Sequence, residues 1–354
     1  MFTGLHMCIK LFFLLFLPYT LFAGNLEEMP SPCILEIKRI EIPGHPYAFN
    51  PSMIRLYGRW LICFREILDD TYQPKLGSSI NGSYLNFAWL DDKFNLVEKP
   101  QRIYLGGYGG LSRIEDGRLF AIDGTLYLIF SDNPTGQEAA VRMCYSKVLW
   151  DGIHFHLEPP CFLNNFPGES SERKEKNWVP FQYKGSLFFA YSLQPHRILY
   201  PVPQSEVCEY VVETNQELNW RWGELRGSTP AIKIGDEYFA LFHSSVEMIS
   251  NQSKRKKSLH YFMGTYTFSA EFPFEITSIS AKPLVAEGFY SGDSYFPYWK
   301  PVQVVFPYGM EYHQGYLWVS YGRQDHEMWI MKIDLQQLRE SLVRQDGYNR
   351  TEGS

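Results

Sequence analysis

The sequence lacks the signatures of several common classes of enzyme. Its six cysteines show no CxxC pair and no Cys/His spacing typical of a zinc site, so we expect no bound metal. It also contains no GxSxG nucleophile elbow, no phosphate-binding glycine loop ending in Lys-Ser or Lys-Thr, and no HExxH motif. A formal net charge of −6 argues against nucleic-acid binding. The sequence gives no reason to expect a cofactor.

Long apolar runs are missing except near the N-terminus, where Lys10 precedes the apolar run 11–17. A membrane-spanning helix needs roughly 20 apolar residues, whereas a signal peptide needs roughly 7–15. With Leu21-Phe22-Ala23 before Gly24 as the cleavage site, the pattern predicts a signal peptide over residues 1–23. We therefore expect a secreted or periplasmic protein. The alternative is that this segment is not cleaved and anchors the protein, which would then contact a membrane through it.

Composition favours strands. Aromatic residues make up 17% of the chain and charged residues 20%, and tyrosine and phenylalanine are enriched in β-structure. A helical pattern is found at the C-terminus, where Asp334 can cap a helix with Leu335, Leu338 and Leu342 on one face.

A β-hairpin with a glycine-containing turn recurs five times. The turns lie at residues 57–59, 123–124, 184–185, 235–236 and 314–315. Further strand pairs lie between the hairpins, which gives about four strands per repeat at an irregular period of roughly 50–75 residues. This pattern predicts an all-β fold, a five-bladed β-propeller with a short C-terminal helix. A large β-sandwich is the alternative.

The predicted organisation has three parts after the signal peptide. Residues 24–48 form an N-terminal strand and linker, 49–334 the propeller, and 335–354 the C-terminal helix and tail. In the first part, a slip in the alternation of apolar residues at Lys38-Arg39 predicts a β-bulge.

Polar residues flank every hairpin, and a propeller would bring them together around its central channel. Glu115 and Asp116 form an acid pair before the second hairpin, and glycoside hydrolysis uses carboxylic acids to protonate the departing oxygen. Asp116 is the better candidate because Gly117 and Arg118 follow it. An Asx turn at Asp116 is the structural alternative.

Other charged residues also have structural alternatives. The arginines 65, 142 and 226 could form ion pairs between blades, and His243 could be a buried structural histidine. The basic loop 254–257 (Lys-Arg-Lys-Lys) is interpreted first as a solvated loop, with contact to an anionic polymer or a membrane as the alternative.

The ordered motifs resemble those of glycoside hydrolase family 130, the β-mannoside phosphorylases and hydrolases. The motifs are Phe49-Asn50-Pro51 with Arg65, Glu115-Asp116-Gly117-Arg118, Lys176-Asn177, Phe242-His243 and Tyr321-Gly322-x-x-Asp325. Gly117 stands where the family has proline. Further motifs are similar to a divergent set of such propellers, namely Glu175-Lys176-Asn177-Trp178, Pro195-His196 and Arg226-Gly227-x-x-Pro230.

The resemblance implies a role for each matched residue. Asp116 would be the general acid of an inverting displacement. Substrate would be bound by Asn50, Arg65, Glu115, Arg118, Asn177 and Asp325. Phosphate would be bound by Arg142, Lys176 and His243.

The resemblance implies an oligosaccharide or glycan substrate, with phosphate, water or a sugar hydroxyl as acceptor. Export favours a hydrolase or a transglycosylating enzyme over a phosphorylase. Hydrolysis needs a second carboxylate as base, for which Glu66, Glu175 and Asp325 are candidates. The alternative function is a non-catalytic propeller that binds glycans.

Overall fold

The computed structural model describes residues 21–22, 24–67, 84–103, 114–132, 141–163, 174–291 and 302–345. The predicted signal peptide lies outside these residues except for Leu21 and Phe22. Two strands precede the first hairpin, β1 (Leu21–Phe22) and β2 (Ile34–Ile40).

The described strands form five sheets, which we call blades 1 to 5 in chain order. Blade 1 contains β3 (Ala48–Leu56), β4 (Arg59–Glu66), β5 (Tyr84–Leu90) and β6 (Gln101–Arg102). Blade 2 contains β7 (Glu115–Ile122), β8 (Thr125–Asp132), β9 (Arg142–Trp150), β10 (Phe155–Leu157) and β11 (Cys161–Phe162). Blade 3 contains β12 (Val179–Tyr183), β13 (Ser186–Leu193), β14 (His196–Pro201) and β15 (Cys208–Thr214).

Blade 4 is the largest sheet. It contains β16 (Arg226–Gly227), β17 (Ile232–Ile234), β18 (Glu237–Ile249), β19 (Lys257–Ser269) and β20 (Ile276–Ser280). Blade 5 contains β21 (Val305–His313), β22 (Tyr316–Arg323) and β23 (Glu327–Asp334). The chain ends with α1 (Leu335–Ser341) and β24 (Leu342–Arg344). This arrangement confirms the predicted five-bladed propeller and its C-terminal helix.

Segments from both ends of the chain complete the outer blades. Strand β2 pairs antiparallel with β23 and becomes the outermost strand of blade 5, so the N-terminal segment closes the ring. Strand β24 pairs with β20, and β1 runs parallel to the end of β18, so both extend blade 4.

The prediction of a β-bulge at Lys38-Arg39 is wrong. These residues pair regularly with Ile330 and Trp329, and the register of β2 shifts instead between Ile34 and Glu36.

The hairpin turns have the backbone that their sequences demand. In four of the five turns both central residues have positive φ, for example Asp123 at 46° and Gly124 at 78°. Such turns match the right-handed twist of the strands they join, and glycine and aspartate accept this conformation most readily.

The core lies between the blades. Each neighbouring pair of blades buries one apolar cluster, such as the one that joins Leu61 and Phe87 of blade 1 to Leu119 and Phe130 of blade 2. Packing of blade on blade leaves the ends of the innermost strands around a central channel.

The C-terminal helix is short. Asp334 caps it by accepting a hydrogen bond from the Gln337 amide at 2.9 Å, and Leu338 is buried. In the part of the chain that the structure describes, no helix is long and apolar enough to cross a membrane.

Candidate active site

The candidate site lies at one end of the channel, where the innermost strands β3, β7, β12 and β21 begin. We call this end the mouth. The backbone there departs from regular pairing, because register shifts separate Phe49 from Ser52 in β3 and Glu115 from Arg118 in β7. The skipped residues include Asn50 and Asp116, which therefore occupy equivalent positions in successive blades.

The bulge residues share an unusual backbone conformation with two other residues of the mouth. Asn50 and Asp116 in the bulges have φ of 53° and 57°, Asn177 before β12 has φ of 66°, and Asp325 after β22 has φ of 51°. Left-handed backbone disfavours most side chains, but asparagine and aspartate adopt it more easily than the rest. Strained residues of this kind cluster at functional sites. The left-handed backbone thus explains why these four positions carry Asn or Asp.

Asp116 is partly exposed at the centre of the mouth. Its Oδ1 lies 3.5 Å from Nδ2 of the buried Asn50. The charge of Asp116 also acts on Arg65, Arg118 and Lys176, so three cations surround this carboxylate.

Glu115 is held between two of these cations. Its Oε1 accepts a hydrogen bond from Nη2 of Arg65 at 2.9 Å, and its Oε2 accepts one from Nζ of Lys176. Burial opposes the ionisation of Glu115, but the charges of Arg65 and Lys176 outweigh it and lower the pKa of the carboxyl to about 2. Glu115 is therefore a fixed anion, unsuited to donate a proton near neutral pH.

Arg118 connects blades 2 and 3. Its guanidinium is buried, and it donates from Nη2 to Oδ1 of Asn177 at 2.9 Å and from Nη1 to the Trp178 carbonyl at 3.2 Å. Burial lowers the pKa of Arg118, an effect that the charge of Asp116 opposes. Arg118 positions Asn177 and balances the charge of Asp116.

Asp325 supplies a second carboxylate in the same mouth. Burial and then the charge of Asp116 raise the pKa of Asp325 to about 6, although the charge of Arg65 opposes them. Tyr308 is buried. Its pKa is raised by burial and by the charges of Asp116 and Asp325, and the charges of Arg118 and Arg65 oppose this rise. The two aspartates therefore face a common space.

The other two candidate bases point elsewhere. Glu66 follows Arg65 on the same strand and so faces the opposite side of the sheet, where His45 Nδ1 lies 2.9 Å from its Oε1. Glu175 is buried and accepts a hydrogen bond from Trp178 Nε1 at 3.0 Å.

His243 lies deeper in blade 4. Ser228 Oγ is 2.8 Å from its Nδ1, and the rings of Phe306 and Tyr261 lie 4.1 and 6.1 Å from the imidazole. Burial, with the charges of Arg118 and Arg226, holds the pKa of His243 well below its usual value. The imidazole is therefore neutral at pH 7.

The three residues predicted to bind phosphate do not form one cluster among the described contacts. Lys176 pairs with Glu115, and His243 pairs with Ser228. Arg142 begins β9, the third strand of blade 2, and its Nη1 donates to the Val141 carbonyl at 3.1 Å.

Sequence reasoning missed Tyr308 and Tyr261. Tyr308 occupies a register shift between Pro307 and Gly309 in β21, the innermost strand of blade 5. The Pro-Tyr-Gly sequence near the start of the fifth hairpin was the available signal. Tyr261 lies on β19. Burial and the charges of Asp325 and Asp116 raise its pKa, and the charges of Arg226 and Lys176 oppose this rise.

Two glycines shape the site. A Cβ at Gly322 would lie 2.5 Å from Oδ1 of Asn50, and a Cβ at Gly117 would lie 2.7 Å from Cδ1 of Leu85 and 3.0 Å from Sγ of Cys63. Gly117 replaces the family's proline where this chain has no room for a side chain.

No group of three or more His, Cys, Asp or Glu residues that could hold a metal ion is found within the described ranges.

The sequence matches a known family, and the fold matches solved structures. A family model described as β-1,4-mannooligosaccharide phosphorylase, glycoside hydrolase family 130, matches residues 28–343. A comparison with curated protein sequences found no match.

Solved structures share the fold at low sequence identity. The β-1,2-mannobiose phosphorylase of Listeria innocua is 17% identical, with a TM-score of 0.57 over 86% of this chain and 92% of that one. A family 130 structure, reported with glycoside hydrolases that target β-1,2 mannosidic linkages in Candida mannan, is 14% identical, with a TM-score of 0.62 over 88% and 97% of the two chains. The mannose phosphorylase MPT-4 of Leishmania mexicana, in complex with a phosphate ion, is 11% identical, with a TM-score of 0.53 over 88% and 91%.

The family match covers nearly the whole chain after the predicted signal peptide, and the propeller and its ordered motifs agree with it. The chain belongs to glycoside hydrolase family 130.

Proposed function

We propose that this protein hydrolyses β-mannosidic linkages with inversion, using Asp116 as the general acid and Asp325 as the general base. Family membership supports a catalytic protein over a non-catalytic glycan-binding propeller. Of the solved relatives named above, one is a β-1,2-mannobiose phosphorylase, and another is reported with hydrolases that target β-1,2 mannosidic linkages. Mannosides are therefore the substrates to test first.

The observation that carries the proposal is that the charge of Asp116 raises the pKa of Asp325, which indicates that the two carboxyl groups lie near the same mouth. Inverting glycosidases use two carboxyl groups on opposite faces of the sugar ring, far enough apart for a water molecule to lie between substrate and base. Glu115 is excluded as acid by its fixed charge, and Glu66 and Glu175 face away. Among the carboxylates that the sequence offered as base, Asp325 is left.

The reaction balances with these two groups. Asp116 gives its proton to the glycosidic oxygen as the bond to C1 breaks. Water attacks C1 from the opposite side while Asp325 accepts its proton. Asp325 ends protonated and Asp116 ionised, and solvent restores both. Burial and the charge of Asp116 raise the pKa of Asp325 to about 6 in the resting site. The second cause is absent once Asp116 carries the proton that it donates, so Asp325 is ionised at pH 7 and can accept a proton from water.

The surrounding polar groups would bind the sugar. Asn50 and Asn177 present amides at the mouth, and the fixed anion of Glu115 can accept hydrogen bonds from hydroxyl groups. Arg65 and Arg118 hold these groups in place through their hydrogen bonds and charges. Polar groups held rigidly against a bound sugar fix its orientation and provide specificity.

Phosphorolysis is the second candidate. Its support is the charge of Lys176 and Arg226 around Tyr261 and the phosphate ion bound by the Leishmania mexicana relative. Phosphate would have to draw Lys176 away from Glu115, with which it pairs in this structure. Transfer to a sugar hydroxyl would use the same acid with another acceptor.

The compartment supports water as the acceptor. We propose export through residues 1–23 to the periplasm or the exterior, where a sugar phosphate would be lost to the cell. An uncleaved segment would instead keep the protein at the membrane.

The test is incubation with a panel of β-linked manno-oligosaccharides, with and without phosphate, followed by product analysis. We expect free mannose in both conditions and at least a 100-fold loss of kcat in Asp116→Asn, in line with the usual effect of a catalytic acid. Asp123→Asn is the matched control, because Asp123 also has left-handed φ, at 46°, but lies in the turn at the other end of the same hairpin. Full activity of Asp116→Asn would refute its role, and a requirement for phosphate would establish phosphorolysis instead.

A further inference from the structure

Asp325, the proposed base, lies in the tight turn between β22 and β23. Strand β22 ends at Arg323 and β23 begins at Glu327, and these two residues pair across the base of the turn. Gln324 and Asp325 within the turn have left-handed backbone, with φ of 58° and 51°. Such backbone persists only where the surrounding structure holds it. The position of the Asp325 carboxylate therefore depends on what fixes this turn.

A buried ion pair fixes the base of the turn. Arg323 and Glu327 are 3% and 2% exposed, and Nε of Arg323 donates to Oε2 of Glu327 at 2.5 Å. Trp329 Nε1 donates to the same oxygen at 2.8 Å, and Cζ of Arg323 lies 4.5 Å from the centre of the Trp329 ring. A shift of the Arg323 side chain would therefore act directly on the turn.

Arg323 also reaches outside blade 5. Its Nη1 donates to the Gly288 carbonyl at 2.7 Å and lies 3.4 Å from the carbonyl oxygen of Ser291. Both carbonyls belong to the 284–291 segment, which follows β20 in the chain. A planar guanidinium carries five donors in a fixed fork, so it can hold a carboxylate and backbone carbonyls at once. Arg323 thus joins the turn of Asp325 to the 284–291 segment.

The 284–291 segment is held in turn by residues near the N-terminus. The carboxylate of Glu27 accepts four hydrogen bonds from it, and such bonds to a charged acceptor are the strong ones. The donors, at 2.5 to 3.1 Å, are the amides of Gly288, Tyr290 and Ser291 and the hydroxyl of Ser291. Ser31 holds the start of the segment, because its amide donates to the Val285 carbonyl at 2.8 Å and its Oγ accepts from the Val285 amide at 3.0 Å.

We propose that Arg323 and Glu27 are positioning residues for Asp325, with Glu27 fixing the 284–291 segment and Arg323 joining that segment to the turn. The inference rests on the proposed role of Asp325 as the base. A base must lie within hydrogen-bond reach of the water that it activates, and a displacement of about 1 Å can lower the rate by about 100-fold. Residues far from the mouth in the sequence therefore set the rate of the chemical step.

A purely structural role for these bonds makes a different prediction. It would change the amount of folded protein and leave the folded molecules unaltered. Displacement of the turn would instead reduce the burial of Asp325 and weaken the influence of Asp116, the two main causes that raise its pKa to about 6; Arg65 and Glu115 supply the other charges. The pKa would then fall towards the ordinary 3.8. Since kcat/KM reports the free enzyme, its acid limb would move to lower pH.

The experiment compares wild type with Glu27→Gln, Arg323→Lys and the double variant from pH 4 to pH 8. The substrate is the β-linked manno-oligosaccharide that wild type hydrolyses fastest. Arg323→Lys keeps a cation beside Glu327 and loses the fork that also reaches the 284–291 segment. Glu28→Gln is the matched control, because Glu28 is exposed and its side chain makes no hydrogen bond or ion pair with the described part of the chain.

Each single variant should lower kcat by about tenfold or more and change KM by less than about threefold, because the polar groups of blades 1 to 3 stay in place. The acid limb of kcat/KM should move below pH 6 in both. The double variant should lose little more than Arg323→Lys alone, because the two residues act through one segment. Glu28→Gln should match wild type.

Three results would overturn the proposal. They are a wild-type kcat in both single variants, a lower kcat with an unmoved acid limb, and losses that multiply in the double variant. The second would mean that only the amount of folded protein has changed.

Asp325→Asn separates this proposal from the one on catalysis. If that variant loses the acid limb while Glu27→Gln and Arg323→Lys behave as wild type, only the positioning role fails. If Asp325→Asn keeps the kcat and the acid limb of wild type, Asp325 is not the base and both proposals fail.

Discussion

Replacing Glu115 by glutamine should destabilise the protein in a way that depends on pH. The substitution keeps the shape of the side chain and removes the anion between Arg65 and Lys176. The buried Arg65 and the half-buried Lys176 then repel each other without the anion between them. We expect the free energy of unfolding to fall at neutral pH.

The magnitude follows from the pKa of Glu115, which falls from 4.5 to about 2 on folding. That shift corresponds to about 3 kcal/mol of stabilisation. Since the folded pKa lies below the unfolded one, the stabilisation is complete above pH 4.5 and is lost as the pH falls towards 2. The loss is about 1.4 kcal/mol per pH unit in that window.

The assay is urea unfolding of wild type and Glu115→Gln from pH 7 to pH 3. The difference between them should be about 3 kcal/mol at pH 7 and should shrink below pH 4.5. Glu311→Gln is the control of opposite sign. Burial raises the pKa of Glu311 from 4.5 to about 7, so wild type loses stability as the pH rises from 4.5 to 7 and keeps that full loss above pH 7. This variant should gain about 3 kcal/mol at pH 8 and nothing at pH 4.

A difference between wild type and Glu115→Gln that stays constant from pH 7 to pH 3 would refute the reasoning. It would mean that the loss comes from hydrogen bonds that the amide cannot replace, and that the charge of Glu115 beside Arg65 and Lys176 adds nothing. In that case, the activity of the same samples would show whether the residues of the mouth keep their arrangement when the charge of Glu115 is removed.

Three further predictions concern the mouth. Gly322→Ala should lower kcat/KM by about tenfold or more, because its Cβ would displace the Asn50 side chain; unchanged kinetics would show that Asn50 is not needed there. Gly117→Pro should cost about 1–3 kcal/mol in urea unfolding, because the new ring would meet Leu85, and adding Leu85→Ala should recover part of this loss. The value of kcat/KM should fall as the pH drops through about 6, where Asp325 gains its proton; a pH profile of Asp325→Asn that retains this limb would contradict its role as base.

The fold could be predicted because its signal is local. Each hairpin turn carries residues that accept positive φ, such as Asp123-Gly124, and the alternation of strands on either side follows from those turns. The order of blades then follows from the order of hairpins. The closure of the ring could not be predicted from local patterns, because β2 and β23 are nearly 300 residues apart in the sequence.

The site could be predicted in part. Asp116 stands out because an acid pair precedes one hairpin alone, and Asn50 occupies the equivalent bulge in blade 1. Tyr308 was missed because its neighbours in sequence are apolar, and its approach to the two aspartates depends on the register of blade 5.

The sequence also does not show which face of a sheet a side chain occupies, or which residue of another blade it contacts. Adjacent residues on a strand point to opposite sides, which is why Arg65 joins the mouth and Glu66 does not. Arg142 matches a phosphate-binding position by order, but its strand is the third in the blade. Distances between blades decide such cases, and no pattern within one strand encodes them.

The most direct test of the central claim is proton NMR of the first products formed, with phosphate and without it, from a β-mannobiose whose reducing end has been reduced to the alditol, so that free mannose comes only from the attacked C1. We expect the α-anomer of mannose to appear first and at the same rate in both samples, because water attacks opposite the departing oxygen. Formation of mannose 1-phosphate only when phosphate is present would contradict hydrolysis. Appearance of β-mannose first would contradict inversion and, with it, the paired roles of Asp116 and Asp325.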